Sequence, residues 1–166
     1  MRSVCIVIEY LLDSTAAVEV WTEYCSLALA SVSEPDGQEN CRAMFERALS
    51  NGGLHVVDGS LLWDSYRDLE EALGDTKKYL SVCRRQLSIP LFGMEHAYEQ
   101  IKEKIEIDEN MEQSYRKALE KLKVLKQWEE KLLSAPESEK ASIYKEYIAY
   151  EMKEKQPPRV LCLYER

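Results

Sequence analysis

The chain has 166 residues, enough for one domain with a modest core, and 45% of them are hydrophobic and 31% charged. Its formal net charge is −8, which excludes a chain that grips nucleic acid over its bulk surface, because phosphate binding needs a basic face. The expected partners are proteins, basic ones above all.

Taken in chain order, the first segment runs from Arg2 to Leu12. Glu9 interrupts the apolar run Ser3–Ile8, and Tyr10-Leu11-Leu12 continues it as an amphipathic helix rather than as a signal peptide. Asp13-Ser14-Thr15 ends that helix. Trp21-x-x-Tyr24 leads the next helix, and Ser33–Gly37 forms a loop. A helix carrying Phe45–Leu49 then ends at Asn51-Gly52-Gly53, in a loop extending to Gly59. Leu54–Val57 is β-like but too short to be more than part of that loop. Trp63 leads another helix, and Gly74-Asp75 and Pro90 are the next breaks. Asp108 is placed to cap a long helix from Glu109 to about Leu133, Pro136 starts another, and Pro157-Pro158 another. The remaining helices are about 11–17 residues long, and short loops between them imply antiparallel neighbours. No segment alternates with the two-residue period of a half-buried strand, and no apolar run approaches the length of a membrane span.

An internal repeat decides the fold class. Phe45-Glu46-Arg47-Ala48-Leu49 is answered by Ile8-Glu9-Tyr10-Leu11-Leu12, Cys83-Arg84-Arg85-Gln86-Leu87 and Tyr115-Arg116-Lys117-Ala118-Leu119, and by Tyr164-Glu165-Arg166 at the end. The second positions are 9, 46, 84, 116 and 165, so the spacings are 37, 38, 32 and 49. Each first residue and its closing leucine stand four apart on one helix face. A second motif alternates with the first: Trp21-x-x-Tyr24, Trp63-x-x-Tyr66-x-x-x-Glu70, a degenerate Tyr98-x-x-Ile101, and Tyr144-x-x-Tyr147-x-x-x-Glu151.

Each unit is therefore an aromatic-led helix followed by a helix of the Phe-Glu-Arg-Ala-Leu type. One helix pair cannot bury both its apolar sides, whereas stacked pairs bury a continuous core. The expected architecture is all-α: a right-handed α-solenoid of antiparallel helix pairs, about four units in all. The aromatics at i and i+3 are expected to join the two helices of a pair. The glutamate at i+7 is expected to bond a ring or an arginine of the other helix, and the arginine after each motif glutamate to bridge layers.

Candidate sites for chemistry are few. Cys5, Cys25, Cys41, Cys83 and Cys162 are odd in number and never at C-x-x-C spacing. They read as free apolar thiols in a reducing compartment. His55 and His96 are 41 residues apart, and Glu95-His96-x-x-Glu99 lacks the second histidine or cysteine of a metal site. No serine or cysteine has a histidine–aspartate partner near it in sequence. Gly52-Gly53 precedes no Lys-Ser/Thr, so no phosphate loop forms. Catalytic, cofactor and metal residues are all read as none. Trp21, Trp63 and Trp128 fit core positions. Arg116, Lys117, Lys121, Lys123 and Lys126 alternate with Glu112, Glu120, Glu129 and Glu130, as on a solvated face laced with ion pairs. Lys77-Lys78 is read in the same way, and Arg84-Arg85 as ties between adjacent helices.

These motifs resemble HAT repeats, the half-a-tetratricopeptide units of RNA-processing proteins. Arg42–Leu49 and Trp63–Glu70 carry the likeness. Met44–Ser50, Gly53-Leu54-His55, Leu62-Trp63-x-x-Tyr66-Arg67, Tyr115-x-Lys117-Ala118-Leu119 and above all Arg84–Leu91 with Phe92-x-Met94-Glu95 are similar to one spliceosome-recycling family, that of the squamous cell carcinoma antigen recognised by T-cells. Repeat physics does not demand the Arg84–Leu91 run, so it is the more specific signal. The resemblance implies a nuclear, non-catalytic scaffold that helps reassemble spliceosomal small nuclear ribonucleoproteins. Its implied partners are proteins of the RNA-processing machinery, deubiquitinating enzymes among them, with RNA met only indirectly or through recognition motifs that this sequence does not contain. The chain begins and stops inside a motif, so a partial array with apolar ends prone to self-association is expected. A general tetratricopeptide-like adaptor is the alternative. It would need a lysine and arginine clamp on successive inner helices, which the spacing does not supply. The partner-binding residues are not legible in the sequence.

Overall fold

In the computed structural model residues 18–166 are described; the expected first helix, with Cys5, lies outside them. The described residues form eight α-helices and no strand: α1 (Val18–Leu29), α2 (Gly37–Gly52), α3 (Gly59–Leu73), α4 (Thr76–Leu87), α5 (Met94–Lys104), α6 (Glu109–Ser134), α7 (Glu137–Lys153) and α8 (Pro157–Tyr164). Three boundaries depart from the sequence reading. α2 begins at Gly37, inside the expected Ser33–Gly37 loop. α2 continues through Gly52, so the loop before α3 is Gly53–Asp58. α8 has 8 residues, shorter than the expected range.

The breaks have local causes. Asp75 and Asp108 cap α4 and α6 by accepting from the backbone N–H of Lys78 (3.1 Å) and Met111 (2.8 Å), which satisfies helix-start donors that would otherwise be orphaned. Gly74 ends α3 at φ 71°, a left-handed conformation that glycine adopts without a side-chain clash. At Gly37 the reason is space: a Cβ there would stand 2.1 Å from the carbonyl oxygen of Ser31.

α1 to α5 pack in succession, as do α6 to α8, and α5 meets α6 through the Tyr98–Tyr115 rings and the Tyr98–Glu112 bond. α1 also meets α3 and α4 meets α6, so the pairs stack in a row. The core follows that row. Trp21, Cys41, Phe45, Leu62, Trp63 and Tyr66 fill the space among α1–α3. Tyr79, Cys83, Leu87, Ile101 and Met111 fill that among α4–α6, and Leu122, Leu125, Leu132, Tyr147, Ile148 and Leu163 that among α6–α8.

The Arg84–Leu91 run is a hub. Arg84 bonds Asp108 at 2.7 Å, and Arg85 bonds Glu46 at 2.6 Å. Buried Gln86 donates to Asp64 (2.8 Å) and accepts from Arg67 (3.2 Å). The Pro90 carbonyl accepts from Arg159 of α8 at 3.1 Å, and the Phe92 N–H donates to the Val56 carbonyl at 2.8 Å. One segment thus ties α2, α3, α6, α8 and the Gly53–Asp58 loop, which accounts for residues that a bare repeat does not require.

Candidate functional site

Two copies of one side-chain clasp organise the described residues. In the first, Phe45 of α2 stacks on Tyr66 of α3, with centroids 5.1 Å apart and planes at 8°. Glu46 beside it accepts both guanidinium nitrogens of Arg85, at 2.6 and 2.8 Å, and this pairing holds its carboxyl below the usual carboxylate range. Arg85 lies 5.0 Å over the ring of Trp63. Glu70, with 0% exposure, accepts from Arg42 Nε and Nη2 at 2.8 and 2.9 Å.

In the second, Trp128 of α6 stacks on Tyr147 of α7, at 5.5 Å and again 8°. Glu129 accepts both nitrogens of Arg166 at 2.7 and 2.9 Å, and Arg166 lies 5.9 Å from the Tyr144 ring. Glu151, also 0% exposed, is met by Lys121 at 3.0 Å. The arginine-over-aromatic element has a third instance, Arg47 at 5.7 Å from Trp21.

The sequence-derived positions fall into place unevenly. Trp21, Tyr24, Phe45, Leu49, Trp63, Tyr66, Glu70, Leu87, Tyr147 and Glu151 are buried, while Glu46, Arg47, Tyr115, Leu119 and Tyr144 are half-buried. The expected aromatic contact within a pair is found at Tyr98–Tyr115, stacked at 4.1 Å between α5 and α6. The Phe45–Tyr66 and Trp128–Tyr147 stacks instead join successive pairs, because the helix after each Phe-Glu-type residue packs on that same face. Tyr115 therefore does not repeat the role of Phe45. In the 26-residue α6 that role passes to Trp128, about four turns further on. Tyr164 and Glu165 are exposed, Tyr164 by 68%. α8 buries Arg159, Cys162 and Leu163, a face on which Tyr164 does not stand.

The remaining candidates carry no reactive arrangement. Cys25, Cys41, Cys83 and Cys162 are buried free thiols, and burial pushes Cys25 up to about 12 and Cys83 up to about 11, far from thiolate chemistry at neutral pH. His96 lies on the surface beside Gln100 at 3.0 Å. No three His, Cys, Asp or Glu side chains gather at metal-binding range among the described residues. Four of the six cations of α6 are paired with carboxylates, Arg116 with Glu112 (2.8 Å), Lys121 with Glu151 (3.0 Å), Lys123 with Glu120 (2.6 Å) and Lys126 with Glu95 (3.6 Å), and Lys131 lies 4.4 Å from the Trp128 ring, whereas Lys117 is exposed. No described helix is long and apolar enough to cross a membrane.

A groove of about 720 Å³ opens beside the second clasp. Val57, Phe92, Leu132, Leu133 and Tyr144 supply its apolar lining, and His55, Asp58, Lys126, Glu129, Glu130, Lys140 and Arg166 its polar rim. The sequence reading did not anticipate it. Its signal is the brevity of the α6–α7 connection, Ala135-Pro136, against the six-residue Gly53–Asp58 connection in the first clasp.

Residues 2–103 match the family described as PRP39 N-terminal HAT repeat. The chain belongs to this HAT-repeat family. The likeness read from Arg42–Leu49, Trp63–Glu70 and Arg84–Leu91 is thus borne out, and the stacked helix pairs are the α-solenoid that HAT repeats imply. The chain is similar to a Homo sapiens protein named spliceosome associated factor 3, U4/U6 recycling protein, at 40% identity over 152 residues, which cover 89% of this chain and 16% of that protein. The Mus musculus protein of the same name is 39% identical over 152 residues, with the same coverage. The Danio rerio one is 31% identical over 142 residues, 72% of this chain and 15% of its own. The HAT chain described here therefore spans well under a fifth of these relatives.

Proposed function

We propose that this HAT array of about four helix-pair units is a non-catalytic protein-interaction scaffold of nuclear pre-mRNA splicing. On this reading it takes part in reassembly of spliceosomal small nuclear ribonucleoproteins. The observation that carries the reading is the 40% identity to a U4/U6 recycling protein over 89% of the chain. That similarity extends over the Arg84–Leu91 hub as well as the repeat positions. Partners are proteins of the splicing machinery, with deubiquitinating enzymes among the candidates, and RNA is reached through them. A net charge of −8 and the carboxylate pairing of Lys121, Lys123 and Lys126 on α6 fit protein rather than phosphate contacts. Buried free thiols fit a reducing compartment such as the nucleus.

The test is capture by the tagged chain from nuclear extract, with protein and RNA read out separately before and after nuclease. Recovery of splicing proteins that survives nuclease is the expected result. Recovery that vanishes with the RNA would contradict the proposal.

A further inference from the structure

The two clasps differ in what covers their leading aromatic ring. In the first, the Gly53–Asp58 loop folds over it: Trp63 Nε1 donates to the Gly53 carbonyl at 2.9 Å, and Trp63 is 3% exposed. In the second, Ala135 and Pro136 alone connect the helices, too few residues to reach back over Tyr144. The groove opens there, with Leu133 88% exposed at its edge. Its volume of about 720 Å³ lies within the range, about 300–1,000 Å³, of sites that enclose a bound group.

The charges of the walls say what fits. Each permanent cation on them is already held: Lys126 by Glu95 at 3.6 Å, Lys140 by Glu137 at 2.8 Å and Arg166 by Glu129 at 2.7 Å. Glu130 is exposed with no cation against it. Asp58, half exposed, meets only the imidazole of His55 at 3.2 Å. The apolar lining is thus flanked by two carboxylates that lack a permanent countercharge, on a chain of net charge −8.

We propose that this groove docks a short amphipathic segment of a partner protein. One or two apolar side chains fill the space beside Tyr144 and Leu133, and a lysine or arginine of the segment meets Glu130 or Asp58. The mode is that of a peptide laying its apolar face into a groove, with charge at the rim setting its choice of partner. This inference rests on the scaffold reading and names a surface for it.

The probe is a fluorescein-labelled helical peptide with leucines on one face and lysines on the other, against a counterpart with glutamate for lysine. The lysine peptide is expected to bind, with amide shifts confined to His55–Asp58 and the groove side of α6 and α7. Leu133→Ser and Glu130→Lys are each expected to weaken it by about tenfold, and the glutamate peptide is expected not to bind. Both side chains are exposed, so neither substitution disturbs the core, and circular dichroism checks this. The proposal is overturned if the lysine peptide does not bind, if its shifts scatter over other acidic faces, or if both variants bind as the parent does. Failure here together with nuclease-resistant capture from nuclear extract rejects the groove and leaves the scaffold reading standing. Loss of capture with an intact peptide site does the reverse.

Discussion

Glu70 has no contact with water, and its two oxygens are fully engaged by Arg42. Removing one member of such a pair strands a buried charge, so Arg42→Ala is expected to cost about 3–5 kcal/mol in urea unfolding. A cost under about 1 kcal/mol would mean that water reaches Glu70. Trp63 is 3% exposed and Tyr164 68%, although both stand at motif positions. Trp63→Ala should then cost about 3–5 kcal/mol, and Tyr164→Ala less than about 0.5 kcal/mol. Equal costs would refute the placement of α8. The i+7 spacing made Glu70 legible as the partner of a ring or of an arginine of the other helix of its pair. The arginine it meets, Arg42, lies instead on α2 of the preceding pair, because packing sets which helix faces that glutamate.

α6 shows where repeat reading by sequence loses register. Its 26 residues contain the Tyr115–Leu119 motif, which packs back on α5, and then Trp128-Glu129, which packs forward on α7. Tyr-Arg-Lys-Ala-Leu matches Phe-Glu-Arg-Ala-Leu at alanine and leucine, and Trp-Glu-Glu-Lys-Leu matches it at glutamate and leucine, so sequence similarity alone does not decide between them. The stacking partner was decided by the position of the next helix, which is a tertiary fact. Trp128→Ala is therefore expected to lower the hydrogen-exchange protection of α7 amides more than Tyr115→Ala does. Greater exposure of α5 amides in the Trp128 variant would contradict it.

The Gly53–Asp58 connection carries a pH dependence of its own. Burial pushes His55 below the ordinary histidine range. Arg166 adds to this, while Asp58 and Glu129 oppose it. With its folded value depressed, the unfolded chain binds the proton more readily as pH falls through about 6.5, so stability is lost on that side. Unfolding free energy should drop between pH 7.5 and 5.5 in the parent and drop less in His55→Gln. Equal drops would place the dependence elsewhere. Glu46, held low by Arg85, acts in a separate and more acidic window, below about 4.5.

At the scale of the molecule, the helical class and the stacked pairs were legible because period, breakers and repeat agreed. The hub at Arg84–Leu91 was legible only as an unusual run, and its physical role appears when α2, α3, α6, α8 and a loop converge on it. The groove was not legible, since it arises from the space that a two-residue connection leaves uncovered. Among the described residues the surface of this acidic chain offers an open apolar groove beside a clasp that fixes the helices around it. Such a surface suits protein contacts and opposes phosphate contacts. Cross-linking in nuclear extract tests this most directly, with lysine-reactive reagent to read protein contacts and ultraviolet light to read RNA contacts. The account predicts lysine cross-links from Lys126, Lys131 and Lys140 to splicing proteins, undiminished by nuclease, and little direct cross-linking to RNA. Strong ultraviolet cross-links to RNA from these helices, with protein cross-links that disappear on nuclease treatment, would contradict it.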